Sequence, residues 1–147
     1  MEDALARAVA TLRRRERSVG ELDDWLAARG VSESERAATL ERLLALGELD
    51  DERFAQRFAD DKRELAGWGA DRIRDSLLAR QVDRETVERA LEGDGDDEQL
   101  ERATALLARR YDRLEDDAAR SRALAYLTRR GYGYEIAHSA VRRAEAG

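Results

Sequence analysis

Tyr126-Leu127-Thr128-Arg129-Arg130-Gly131-Tyr132 is the third appearance of one short phrase, after Trp25-Leu26-Ala27-Ala28-Arg29-Gly30-Val31 and Ser76-Leu77-Leu78-Ala79-Arg80-Gln81-Val82. The arginines before the turn, Arg29, Arg80 and Arg130, are 51 and 50 residues apart. So regular a spacing marks one supersecondary unit copied three times, because a unit too small to bury its apolar face alone must stack on a copy of itself. In the first and third copies glycine follows the arginine and supplies the positive φ that ends a helix. The second copy has Gln81 there, so residue type does not dictate a left-handed helix end.

Working outward, the spacing predicts three helices per unit. In the first unit Leu5, Val9 and Leu12 share a face, and the basic run Arg13, Arg14, Arg15 and Arg17 follows. Ser18 and Glu21 form a capping box that opens the second helix, and Ser32 with Glu35 repeats the device for a third helix that turns Leu40, Leu43 and Leu44 inward and stops at Gly47. The second unit opens with acids at Asp50, Asp51 and Glu52, suited to the positive end of a helix dipole. Phe54 and Phe58 make an aromatic seam one turn apart. Gly67-Trp68-Gly69 breaks that helix, the next points Ile73 and Leu77 inward, and Asp83 caps one running through Val87 and Leu91. Residues 92–97 read as a solvated acidic linker, and the third unit as helices over 98–114, 116–130 and 134–144. The expected fold is therefore all-α: an elongated, curved array of three tandem three-helix repeats, about nine helices, with repeats at 1–49, 50–93 and 94–147 forming one domain.

Composition agrees. Of the 147 residues 41% are charged and 5% aromatic, yet 42% are hydrophobic and recur at helical period, which suits thin cores between amphipathic helices. There is no proline. The absence of cysteine excludes disulfides and thiolate metal sites, and no apolar run is long enough to span a membrane, so a soluble cytoplasmic protein is expected. A net charge of −6 weighs against simple wrapping of nucleic acid, although local basic stripes remain open. Lys62 is the sole lysine, and the arginine richness reads as compositional bias rather than as a functional signal.

Catalytic and metal readings fail on geometry. The neighbouring acids Asp50-Asp51 and Asp60-Asp61 point about 100° apart on a helix and do not converge on one reacting atom. Asp94 and Asp96 lack the turn glycine of a calcium loop, and His138 has no spaced partner. Gly67-Trp68-Gly69 meets Arg72 where a dinucleotide fingerprint needs glycine or alanine. No enzyme chemistry, cofactor or metal is expected. Trp25, Phe54 and Phe58 read as core, Trp68 as pinning a turn onto the preceding helix, and Tyr132 as packed between helices with only its hydroxyl wet.

Three motifs in register carry a resemblance: Leu49-Asp50-Asp51-x-Arg53-Phe54-Ala55, then Gly67-x-Gly69-x-x-Arg72-Ile73-x-x-x-Leu77, then Tyr126-Leu127-x-Arg129-Arg130-Gly131-Tyr132-x-x-x-Ile136. Over nearly its whole length the chain resembles the RecX family of bacterial regulatory proteins. The resemblance implies a non-enzymatic modulator of RecA, the recombinase that polymerises on single-stranded DNA, and so a place in DNA repair, recombination and the SOS response. It implies binding along the filament's groove and inhibition of ATP hydrolysis, strand exchange and co-protease activity.

Arginine and aromatic anchors dominate interface energetics when desolvated. The candidate contact residues are Arg53, Arg57, Lys62 and Arg63 on the fourth helix, Trp68, Arg72 and Arg74 around the next turn, and Arg129, Arg130, Tyr132 and Tyr134 at the last. The RecA filament on single-stranded DNA is the expected partner of a monomer, with weak direct DNA contact allowed. Two alternatives stay open: a direct single-stranded nucleic-acid binder of helix-turn-helix character, in which Arg13 to Arg17 track the backbone, and a generic helical adaptor.

Overall fold

The structure, a computed structural model, describes residues 2–146. All regular structure among them is helical: α1 (Glu2–Arg14), α2 (Val19–Ala28), α3 (Glu33–Ala45), α4 (Asp51–Ala66), α5 (Ala70–Ala79), α6 (Arg84–Leu91), α7 (Asp96–Arg110), α8 (Asp117–Arg129) and α9 (Tyr134–Ala146). Every helix anticipated from periodicity is present, but α7 stops at Arg110, where Tyr111 turns to extended backbone at φ −126°. The described residues sort into two compact bodies. One comprises the chain up to Arg57 together with Leu77–Ala90; the other comprises Phe58–Ser76 together with the chain from Leu91.

In the first body α1, α2 and α3 pack on one another around Ala8, Leu22, Leu26, Leu43 and Leu49. Leu44, expected inward, is 48% exposed, since one helical step carries it about 100° from Leu43. The capping box forms as its residues require. Ser18 Oγ accepts from the Glu21 N–H at 3.1 Å, and Glu21 Oε1 accepts from the Ser18 N–H at 2.9 Å.

The same hydroxyl donates to the Arg80 carbonyl at 2.6 Å, while the Arg80 guanidinium grips both Glu21 oxygens at 3.0 Å and lies 4.5 Å from the Phe54 ring centre. Burial raises the Glu21 carboxyl, but the Arg80 and Ser18 hydrogen bonds outweigh it and leave the group below the usual carboxylate range. The second copy of the repeated phrase is thus seated on the start of α2.

Gln81 does take the left-handed conformation, at φ 66°. For a residue with a Cβ this costs roughly 1–2 kcal/mol. Two contacts hold it there. Its Nε2 donates to Asp24 Oδ2 at 2.9 Å, and its side chain lies over Gly20, where an added Cβ would fall 2.7 Å from Gln81 Oε1.

In the second body α9 lies against both α7 and α8, and the core gathers Ala103, Leu107, Ala123, Leu127, Tyr132 and Ala137. The third copy of the phrase sits on the start of α5 as the second sits on α2. The Gly69 N–H donates to the Arg130 carbonyl at 2.8 Å, and the Asp71 N–H donates to the Gly131 carbonyl at 3.0 Å. Glycine at both positions makes this approach possible, because a Cβ on Gly69 would fall 2.5 Å from Gly131 O.

The acidic segment after α6 corrects the expectation of a purely solvated linker. Asp94 has a side chain only 4% exposed, with its two oxygens taken by Arg102 at 2.8 and 2.9 Å and by Arg63 at 3.2 Å. Arg102 Nε also reaches the Trp68 carbonyl and the Tyr132 hydroxyl, which donates to the Gly67 carbonyl at 2.8 Å. The Tyr132 hydroxyl is therefore buried rather than wet, and burial pushes it above the ordinary tyrosine range. Gln99 completes the knot by accepting from the Ala70 N–H at 2.9 Å. Trp25 packs against the core of the first body as expected but is only half-buried, with guanidinium groups over its ring.

Two predictions follow the packing. Gly69→Ala lowers unfolding free energy by about 1–3 kcal/mol in urea titration, whereas Gly133→Ala, whose Cβ would meet nothing nearer than 3.7 Å, changes it by less than about 0.5 kcal/mol. Asp94→Ala strands two arginines and costs about 3–5 kcal/mol; a loss under about 1 kcal/mol contradicts the role given to Asp94.

Candidate functional site

The well-satisfied turn between α4 and α5 supports the site. The Gly67 and Trp68 carbonyls and the Gly69, Ala70 and Asp71 amides all have partners within the second body, so the half-buried Trp68 ring is held from its own backbone. On one side Phe58 meets Trp68 edge to face at 6.2 Å, as expected for a tryptophan pinning the turn to α4. Two cations lie over the ring: Lys62 at 4.8 Å and Arg72 at 4.0 Å.

Close by, Tyr126 on α8 carries Arg110 at 4.5 Å and Arg130 at 5.0 Å. Trp68, Arg72, Arg110, Tyr126, Arg129 and Arg130 line an open groove of about 500 Å³. Four arginines and no carboxylate face it. Among the described residues none of these arginines pairs with an acid: Arg72 donates to the Arg129 carbonyl at 3.2 Å, and Arg130 donates to the Ala66 carbonyl. In a chain with 33 acids and a net charge of −6, a cationic surface left without carboxylates is the notable electrostatic feature. Guanidinium groups stacked on rings keep their N–H edges free and lose little rotamer freedom on pairing, so such a groove suits oxyanions and flat polar surfaces.

Of the residues expected from sequence to make contact, the structure brings Lys62, Trp68, Arg72, Arg129 and Arg130 together. Arg63 belongs to the Asp94 knot and also meets Asp60 at 3.3 Å, while Arg74 pairs with Asp71 at 3.0 Å. Tyr132, 2% exposed, contributes by positioning the turn. Tyr134 is 76% exposed and lies against His138, with ring centres 4.0 Å apart. Arg53 and Arg57 lie in the first body, lining a separate open groove, with Arg57 3.5 Å from Glu16. Sequence reasoning missed Arg110 and Tyr126. One signal was available: Trp25–Arg29, Trp68–Arg72 and Tyr126–Arg130 all place an arginine four residues after an aromatic, a spacing that stacks the first and third pairs along a helix, while Trp68 meets Arg72 from the turn before α5.

Among the described residues no group of three or more His, Cys, Asp or Glu is placed to hold a metal, and no helix is long and apolar enough to cross a membrane.

Comparison with known proteins places the chain. Family models match residues 4–43, 50–91 and 96–141 as the first, second and third three-helix domains of RecX. The chain is 38% identical over 143 residues to the regulatory protein RecX of Thermus thermophilus, covering 97% of this chain and 93% of the relative. The RecX protein of Chromohalobacter salexigens is 37% identical, covering 93% of this chain and 90% of its own. The crystal structure of RecX from Lactobacillus salivarius superposes with a TM-score of 0.83 at 20% identity, covering 98% of both chains. A second solved regulatory protein RecX gives 0.80 at 20% identity, covering 93% of this chain and 70% of that one. Nine helices without a strand among the described residues, three tandem three-helix matches and close full-length relatives agree: this chain belongs to the RecX family of regulatory proteins.

Proposed function

We propose that this protein binds the RecA filament on single-stranded DNA along its helical groove and modulates it, mostly by inhibiting ATP hydrolysis, strand exchange and co-protease stimulation. It acts in the cytoplasm as a monomer and carries out no chemistry of its own. The observation that carries the reading is the groove of Trp68, Arg72, Arg110, Tyr126, Arg129 and Arg130, in which no carboxylate neutralises the arginines. An extended nucleoprotein polymer offers such a groove acidic side chains and phosphates in repeating order. Repetition lets modest contacts add through effective concentration. Relatives carrying the name regulatory protein RecX support a regulatory rather than catalytic role.

Arg110 and Arg129 are both exposed and make no side-chain hydrogen bond or ion pair, Arg110 only stacking on Tyr126, so they report on contact with little burden on the fold. Arg130 is a poorer probe because it ties the end of α8 to Ala66. The double variant Arg110→Glu with Arg129→Glu is expected to need at least about tenfold more protein to halve filament ATP turnover, about 1.4 kcal/mol of contact energy, with unchanged helical circular dichroism. Inhibition equal to wild type moves the contact surface elsewhere. No effect of the unaltered protein on turnover, with no cosedimentation at micromolar concentration, removes RecA as the partner.

A further inference from the structure

The first body holds a second cation–aromatic cluster, which the proposed filament contact does not use. Trp25 on α2 is half-buried, with the Arg29 guanidinium 3.7 Å and the Arg17 guanidinium 5.9 Å from its ring centre. Arg29 arrives from four residues along the helix, whereas Arg17 arrives from the segment that follows α1. The arrangement repeats the one around Tyr126, where Arg130 comes from four residues on and Arg110 from the end of the preceding helix.

Three observations show that the guanidinium groups of this cluster are not paired, although Glu16, Glu48 and Asp50 line the same groove as Arg13 and Arg17. Arg17 Nε is fully buried and has no hydrogen-bond partner. Among the described residues, Arg13, Arg14, Arg15, Arg17 and Arg29 make no pair with a carboxylate, and the side chain of Arg29 donates only to the Trp25 carbonyl. Burial, and then repulsion from Arg15, Arg29 and Arg80, holds the Arg17 guanidinium below its ordinary range. Glu21 is the acid acting most strongly on Arg17, and both its oxygens are already gripped by Arg80.

We infer that Arg17, Arg29 and the preceding arginine run form a phosphate-binding site that takes the backbone of a single-stranded nucleic acid, with Trp25 as the platform that orients the guanidinium groups. The ligand class follows from the geometry. The Arg29 guanidinium already stacks on the Trp25 ring at 3.7 Å, with Arg17 further off at 5.9 Å, so recognition is assigned to N–H edges rather than to base stacking. Two guanidinium groups reaching one ring from different segments suit a tetrahedral oxyanion with several acceptor directions, where a planar carboxylate is satisfied by one fork. The cations Arg13, Arg14, Arg15 and Arg17, interrupted by a Glu16 that lies against Arg57, match a ligand with repeated negative charge. Binding here is independent of base identity and weakens as salt rises.

The test uses the full chain and no RecA, so its failure is separable from failure of the filament reading. The two indole N–H signals are followed by nuclear magnetic resonance, assigned with Trp68→Phe, while oligothymidylate, an abasic deoxyribose-phosphate strand of equal length, or polyglutamate of equal charge is added. The expected result is that both strands shift the Trp25 signal with similar midpoints, that polyglutamate leaves it in place, and that Arg17→Gln with Arg29→Gln weakens strand binding at least about tenfold. Should that variant lose its helical circular dichroism, Arg14→Gln with Arg15→Gln, on exposed side chains, is expected to weaken binding severalfold instead. A Trp25 signal unmoved by either strand, moved equally by polyglutamate, or moved only by the base-bearing strand overturns the proposal, as does undiminished binding by the folded arginine variants.

Discussion

A helix that ends in a left-handed turn presents carbonyls that no residue of its own helix can satisfy, and a helix that begins presents amides in the same position. In this protein each need answers the other. The turn after α8 gives the Arg130 and Gly131 carbonyls to the amides of Gly69 and Asp71 at the head of α5, and the turn after α5 gives the Arg80 carbonyl to Ser18 at the head of α2. The repeated phrase is therefore a docking device. It explains why small residues occupy Gly20, Gly69 and Gly131, and why an arginine precedes the turn to reach back across the joint, to Glu21 in one body and to Ala66 in the other.

The same device positions the functional surface. Because the turn carrying Trp68 is bonded through five consecutive residues, its ring is fixed in place, and Lys62 and Arg72 stack on something rigid. Asp94 absorbs the charge of Arg63 and Arg102 behind the turn, so those cations serve the fold while Arg72, Arg110, Arg129 and Arg130 remain for a partner. An acidic chain could neutralise all its arginines. Where it leaves them unneutralised, with Arg72, Arg110 and Arg130 stacked on aromatic rings, the stacked side chains lose little rotamer freedom on pairing.

Much of the fold was legible because the signals were local. Caps at Ser18, Ser32 and Asp83, the positive-φ glycines Gly30 and Gly131, and the apolar period of each helix depend on residues within a turn of each other. Apart from Leu44, whose helix face was misjudged locally, the failures rest on partners beyond the local turn. Gln81 adopts a conformation its residue type disfavours because Asp24 and Gly20, from another repeat, receive it. Asp94 looked like solvated linker because Arg102, eight residues on, and Arg63, on α4, both lie beyond the reach of a local cap, and the buried hydroxyl of Tyr132 has its acceptor 65 residues away. Of the eleven candidate contact residues, Trp68, Arg72, Arg129 and Arg130 line one groove, and Lys62 stacks on its Trp68. Arg110 and Tyr126 escaped notice because arginine was discounted as compositional, although the aromatic-to-arginine spacing of four recurs in all three repeats.

Amide hydrogen exchange at Gly69 and Asp71 bears most directly on the docking of one repeat's turn onto a helix head of the preceding repeat. First-turn helix amides have no acceptor within their own helix, and without this joint they exchange at rates near those of an unfolded chain. With the joint in place, both are protected to the level of Leu127 in the interior of α8 and lose protection together with it in denaturant. Rapid exchange at Gly69 and Asp71 while Leu127 stays protected contradicts the account.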